Sequence, residues 1–211
     1  MLKNLTESRS LVILDAGHGI ETPGKRSPIW KDGTQLLEWE FNRAIVATIS
    51  RYLTASNISN IKLIVSDVDV SLKGRSDLVN KIFKEYKDEY FVYLISIHGN
   101  AADSSRAHGI EAFTTVGEDI SDRIAHITLK ELETLGWYMR YNNKTELDKE
   151  LDFWMLKQTK CPSILTESGF YTNEAECKKM LDPYWQNQIA LAHVRAAVKI
   201  EFDKTITYET K

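Results

Sequence analysis

The sequence predicts an α/β domain built on a mixed or mostly parallel sheet. Three observations carry that reading. The runs LVILDA (11–16), FVYLISI (91–97) and the apolar part of PSILTESGF (162–170) lack polar alternation, as expected of strands covered on both faces. Between such runs lie segments whose apolar residues recur with helical spacing. No repeat, low-complexity tract or linker interrupts the 211 residues, so residues 1–211 are taken as a single domain.

In chain order, the first strand (11–16) runs into a loop marked by Gly19, Pro23, Gly24, Pro28 and Gly33. From about Leu36 the period changes. Leu37, Phe41, Ala44, Ile45, Thr48, Ile49 and Tyr52 form one helical stripe ending near Leu53. IKLIVSD (61–67) is the second predicted strand, and a helix is expected from Ser71, clearest at LVNKIFKEY. FVYLISI then ends at His98, and GIEAFTTV (109–116) is a shorter strand with partial alternation. Residues 119–135 carry Ile120, Ile124, Ile127 and Leu135 on one helical face.

The stretch 137–160 is polar, with a turn at Asn142 and Asn143, and DFWMLKQ reads as a short strand or irregular structure. Pro162 suits the entry of the next strand. A helical start over Asn173–Leu181 precedes Pro183 and a last helix over roughly 184–202. The tail TITYETK is expected to fray.

A net charge of −3 with scattered basic residues gives no footprint for nucleic acid. No run reaches the roughly 18–20 apolar residues of a membrane span. MLKNLTESRS lacks the apolar stretch of a secretory signal, so synthesis in a cytoplasm without a signal peptide is the expectation. Cys161 and Cys177 have no C-x-x-C spacing and read as reduced residues in or near the core.

Three apolar strands end in a residue able to bind metal: His18, His98 and Glu167. In open α/β sheets, ligands bind beyond the carboxyl ends of parallel strands. Neighbouring parallel strands would therefore bring these side chains together. A catalytic zinc takes three protein ligands from His, Asp and Glu and keeps a position open. The third ligand is a carboxylate. Glu38 borders the apolar stripe of the first helix, whereas Glu40 lies further round. Either could instead be an ordinary acid in a first helical turn.

DAGHG, then E-x-x-x-N in EWEFN, then SIHGNA, then ILTESGFYTNEAE, in this order, resembles the zinc-dependent N-acetylmuramoyl-L-alanine amidase family of the Amidase_3 type, phage endolysins included. The match covers about residues 11–200. The resemblance implies a twisted, mainly parallel sheet flanked by helices. It also implies one zinc ion on His18, Glu38 and His98, with Glu167 as the catalytic carboxylate. It selects Glu38 over Glu40, because only Glu38 has an asparagine four residues on. Asn42 and Asn100 complete the motifs as orienting residues. Arg75 matches an arginine found in the family at that point, with a surface or helix-start role as the competing reading.

The implied activity is hydrolysis of the bond between N-acetylmuramic acid and the L-alanine of the stem peptide. The alternatives are a zinc peptidase acting within the stem peptide and a non-catalytic peptidoglycan-binding module. The partner is peptidoglycan, not nucleic acid, and a monomer is expected.

The stretch between His18 and Glu38 is longer than the family's usual one. Trp30 there could stack on a sugar, and Lys25 or Arg26 could meet a peptide carboxylate, against a plain basic loop with Trp30 packed on the domain. The stretch between residue 116 and Pro162 is too short for the long autoinhibitory insertion of some members, which implies a site open without an activator. A phage lysin is the favoured setting, with a trimmed secreted form as the alternative. His108, His126 and His193 carry no site role. Trp39, Trp137, Trp154 and Trp185 are expected to be core or partly buried.

Overall fold

Every residue of strand β1 (Ser10–Ala16) is buried, which puts it in the interior of the sheet, as its unbroken apolar run requires. A computed structural model describes residues 8–208. After β1 come α1 (Glu38–Ala55), β2 (Ser59–Lys62), α2 (Leu72–Tyr86) and β3 (Phe91–Asn100). Then follow β4 (Ile110–Thr114), α3 (Ile120–Glu133), β5 (Lys149–Glu150) and α4 (Trp154–Gln158). The chain closes with β6 (Ser163–Phe170), α5 (Glu174–Leu181) and α6 (Pro183–Phe202).

The strands form a six-stranded sheet in the order β2-β1-β3-β6-β4-β5. β1, β2, β3 and β6 pair in parallel, β4 runs antiparallel to β6, and β5 is parallel to β4. The domain is thus α/β with a mainly parallel sheet, as expected. The three strands carrying His18, His98 and Glu167 are neighbours, and their carboxyl ends share one edge.

Strand alternation divides the core in two. Val12, Leu14 and Ala16 of β1 pack with Phe41, Ile45 and Ile49 of α1 and Ile189 and Ala197 of α6. Leu11 and Ile13 face the other way, onto Val79 of α2, Met155 of α4 and Cys161. Burial on both faces is why these strands carry no polar alternation. The helices end where local chemistry stops them. Ser71 caps α2, Asp119 closes a capping box on α3, and Asp182 caps α6 with Pro183 in its first turn.

Four expectations need correction. The strand placed at 61–67 is Ser59–Lys62; after Leu63 donates its N–H to Leu14 O, the chain leaves the sheet. DFWMLKQ contains the short helix α4, too brief to show a period. Trp154 is 45% exposed on that helix. The tail does not fray through residue 208. Ile206 is fully buried, its carbonyl accepts from Arg9, and Tyr208 Oη accepts from Val92 N. Residues 209–211 and the start of the N-terminal stretch, 1–7, lie outside the described residues. Both cysteines are free and buried, as expected.

His193 of α6 is fully buried behind β6. Its Nδ1 donates to Ile189 O at 2.8 Å, and Thr166 Oγ1 donates to its Nε2 at 3.0 Å, which fixes a neutral ring. Burial lowers its pKa to about 4 from 6.5. Below 6.5 the unfolded chain takes up a proton that the folded chain refuses until about 4, so stability falls as pH falls through that window. We expect the folded protein to lose about 2 kcal/mol between pH 7 and pH 5 from this group alone. Urea unfolding at the two pH values should show a shallower loss in His193→Gln; equal losses would refute the assignment.

Candidate metal centre

The site begins with the pairing of β1 and β3. Asp15 pairs with Ser96 and Ala16 with Ile97, and Gly17 N–H continues the ladder to Ile97 O at 3.0 Å. Gly17 therefore lies against His98. A Cβ on Gly17 would stand 2.0 Å from His98 Cε1, so glycine is required for the ring to lie where it does. Gly19 is required for a different reason: its Cβ would be 2.3 Å from Asp69 N, where the segment after β2 passes. Between them His18 has φ 65°, a left-handed backbone.

Glu38 opens α1 and is buried at 1% exposure. Its Oε1 lies 3.3 Å from His18 Nε2 and 3.1 Å from His98 Nδ1, and it also accepts from Gly99 N–H. Glu40 is exposed on the same turn. One ligand atom from each of His18, Glu38 and His98 falls within 4.8 Å of the others. A tetrahedral ion spaces its ligand atoms by about 3–4 Å, so donor set and spacing fit a divalent metal. His18 and His98 remain 18% and 14% exposed, so the group opens to solvent.

Glu38 is the anionic group of the centre. Burial pushes the Glu38 carboxyl up, but hydrogen bonds with His18 and His98 outweigh it and hold it well below the usual range. Burial pulls the His98 imidazole down, yet its hydrogen bond to Glu38 and the charge of Glu167 leave it raised. Glu38 Oε2 accepts from Tyr171 Oη at 3.2 Å, which leaves Oε1 to face the histidines. Burial, then the Glu38 charge, keeps the Tyr171 phenol protonated and donating.

Glu167 sits opposite His98 in the β3–β6 register and opposite Glu111 in the β6–β4 register. Part of the residue faces solvent, whereas Oε2 is buried with no hydrogen-bond partner among the described residues. Burial raises its carboxyl most; His98 and Lys25 oppose this, the Glu38 and Glu111 charges add to it, and the balance stands at about 8. A cavity of about 370 Å³ opens beside the centre. It is lined by His18, His98, Thr22, Val70, Leu72 and Met155 among others.

The remaining expected residues divide. Asn42 Nδ2 donates to Gly17 O at 3.0 Å, next to His18, and Asn100 Nδ2 donates to Glu111 Oε1, next to Glu167 in the sheet. Arg75 is buried at 2% exposure with its Nη1 2.6 Å from Asp15, which rules out a surface role. Trp30 and Arg26 are not brought to the centre. Trp30 packs against the main core and donates to Cys177 Sγ at 3.1 Å, and Arg26 is exposed, bridging by its backbone to Leu37. Sequence reading missed Tyr171, Arg43 and Glu111. Tyr171 follows the E-x-G-F stretch directly, but no periodicity marks it.

The comparisons with known proteins agree with this fold. The chain belongs to the N-acetylmuramoyl-L-alanine amidase family of the Amidase_3 type, whose pattern matches residues 12–199. It is 30% identical over 184 residues to N-acetylmuramoyl-L-alanine amidase LytC of Bacillus subtilis (strain 168), covering 86% of this chain and 33% of LytC. The chain thus spans about a third of that relative's length. It is 28% identical over 198 residues to the endolysin of Bacillus phage SPP1, covering 90% of this chain and 65% of that protein. The crystal structure of an N-acetylmuramoyl-L-alanine amidase from Clostridium difficile 630 superposes with a TM-score of 0.79 at 25% identity. That match covers 94% of this chain and 100% of the other.

Tyr171→Phe keeps the buried ring and removes only the bond to Glu38. Its affinity for zinc, measured against a chromophoric chelator, should fall about ten-fold. An unchanged affinity would show that Tyr171 does not hold the ligand.

Proposed function

We propose that the chain is a zinc-dependent peptidoglycan amidase that hydrolyses the bond between the lactyl group of N-acetylmuramic acid and L-alanine. The observation that carries this reading is a His18–Glu38–His98 group beside a buried, partnerless carboxylate oxygen of Glu167. Membership of the family supports it.

When bound, a zinc ion would polarise the scissile carbonyl and acidify water at neutral pH. His18, Glu38 and His98 would hold it, and Tyr171 would keep Glu38 turned toward it. Glu167 takes the proton of the attacking water on its carboxylate. Burial raises this carboxyl, and a positive charge nearby lowers it again and favours the ionised form that accepts a proton. The water oxygen bonds to the carbonyl carbon, the carbon–nitrogen bond breaks, and Glu167 passes its proton to the leaving nitrogen. The products are a lactyl carboxylate and a stem peptide with a free L-alanine amino terminus. The described fold serves as the catalytic domain, with His18, Glu38, His98 and Glu167 all supplied by one chain. A role at the cell wall, including lysis, is supported by the likeness to a phage endolysin. No helix among the described residues is long and apolar enough to cross a membrane.

Two measurements test the reading. Digestion of purified sacculi should release new N-terminal L-alanine without new reducing sugar ends, abolished by a chelator and restored by zinc. New ends within the peptide would make the chain a peptidase, and none at all a binding module. Glu167→Gln should retain zinc while turnover falls by about a hundred-fold or more. Undiminished hydrolysis by that variant would remove Glu167 from the mechanism.

A further inference from the structure

Strand parity sets a problem at His18. Gly17 lies against His98, so in a continued extended strand His18 would point to the opposite face of the sheet. The left-handed backbone at His18 turns the ring back, to 5.0 Å between the two ring centroids. Such a backbone is disfavoured for a residue with a Cβ and persists only where its surroundings impose it.

The imposing groups are two arginines. β2 ends at Lys62, and the last bond from that side of β1 joins Leu63 N–H to Leu14 O at 2.8 Å. The next carbonyls on that side, Ala16 O and His18 O, have no strand to pair with. Arg43 of α1 donates to them from Nη1 at 2.7 Å and Nη2 at 3.0 Å. Arg75 of α2 donates to the same two from Nη1 at 2.6 Å and Nη2 at 2.8 Å. Each guanidinium also holds the segment after β2, Arg43 at Ser66 O and Arg75 at Val70 O. Asp15 Oδ1 balances Arg75, and Ser96 Oγ donates to Asp15 Oδ2.

We propose that Arg43 and Arg75 are a pair of positioning residues that replace the missing end of β2, fix the left-handed turn at His18, and thereby set the metal affinity of the centre. The proposal rests on the reading of His18, Glu38 and His98 as metal ligands. A planar guanidinium fork reaches two carbonyls at once, which a lysine ammonium does not do. Two forks on the same two oxygens saturate both and leave the turn one conformation.

The test uses Arg43, which is partly exposed, with Arg51→Gln on the exposed side of the same helix as control. Zinc affinity is measured by chelator competition, and the melting temperature of the metal-free protein is measured beside it. Arg43→Gln should weaken zinc about ten-fold or more, with Arg51→Gln unchanged. Arg43→Lys, should the glutamine variant not fold, should fall between the two. A lowered melting temperature with wild-type zinc affinity would make the arginine merely structural and overturn the proposal. Failure of the wild-type chain to bind zinc would overturn the metal reading itself and this proposal with it.

Discussion

In a parallel sheet, residues in register face the same way and their chain neighbours face the other way. His98 and Glu167 are in register and share a face without further arrangement. His18 is out of phase with both, because it is Gly17 that lies against His98. The His18–Glu38–His98 group therefore forms only if the extended backbone of β1 ends before His18. The early end of β2, the glycines at 17 and 19 and the left-handed residue between them are parts of that one solution. A β2 extended through Asp67 would pair with Ala16 and His18 and carry the second ring away from the first.

The same turn organises the charges. Two guanidinium groups gather behind the backbone of residues 16 to 18, while Glu38 lies in front, between the imidazoles. The arginines meet backbone carbonyls and Asp15, so their charge is spent on the scaffold and not on the ligands. Glu38 draws further support from its place at the start of α1, where the helix favours an acid. Its second oxygen is occupied by Tyr171. What faces the gap between the rings is one carboxylate oxygen and two imidazoles, a donor set suited to a catalytic zinc.

Much of this was legible in the chain. The apolar runs identified β1, β3 and β6 because burial on both faces leaves no alternation, and their ends located His18, His98 and Glu167. The helical phase of Glu38 beside Phe41 and Ile45 left it open against Glu40 until the E-x-x-x-N resemblance chose it, and the burial of Glu38 agrees. The rest was not legible because it depends on contacts distant in sequence. IKLIVSD has strand composition, but the strand ends at Lys62, and the segment beyond it bonds to Arg43 of α1 and Arg75 of α2 and passes against Gly19. Arg43 sits on an amphipathic helix where a solvated arginine would look the same. Trp30, in a basic loop, gave no sign that Cys177 would receive its N–H.

Two acidic residues lie side by side across β4 and β6, and the structure treats them oppositely. Glu111 is saturated: Asn100 reaches one oxygen, and Arg140 and Lys149 reach the other. Its charge is compensated and it has little acceptor capacity left for a reaction. Glu167 has a buried oxygen with no donor among the described residues and a carboxyl lifted by burial. Adjacent carboxylates acquire different chemistry when their environments push them apart. Here the separation follows from the sheet: Glu111 of β4 meets Asn100 from the end of β3, Lys149 of β5 and Arg140, whereas β6 delivers Glu167 to the open ends of the parallel strands. The unsatisfied oxygen costs stability where it stands. That cost falls beside His98, at the open ends of the parallel strands.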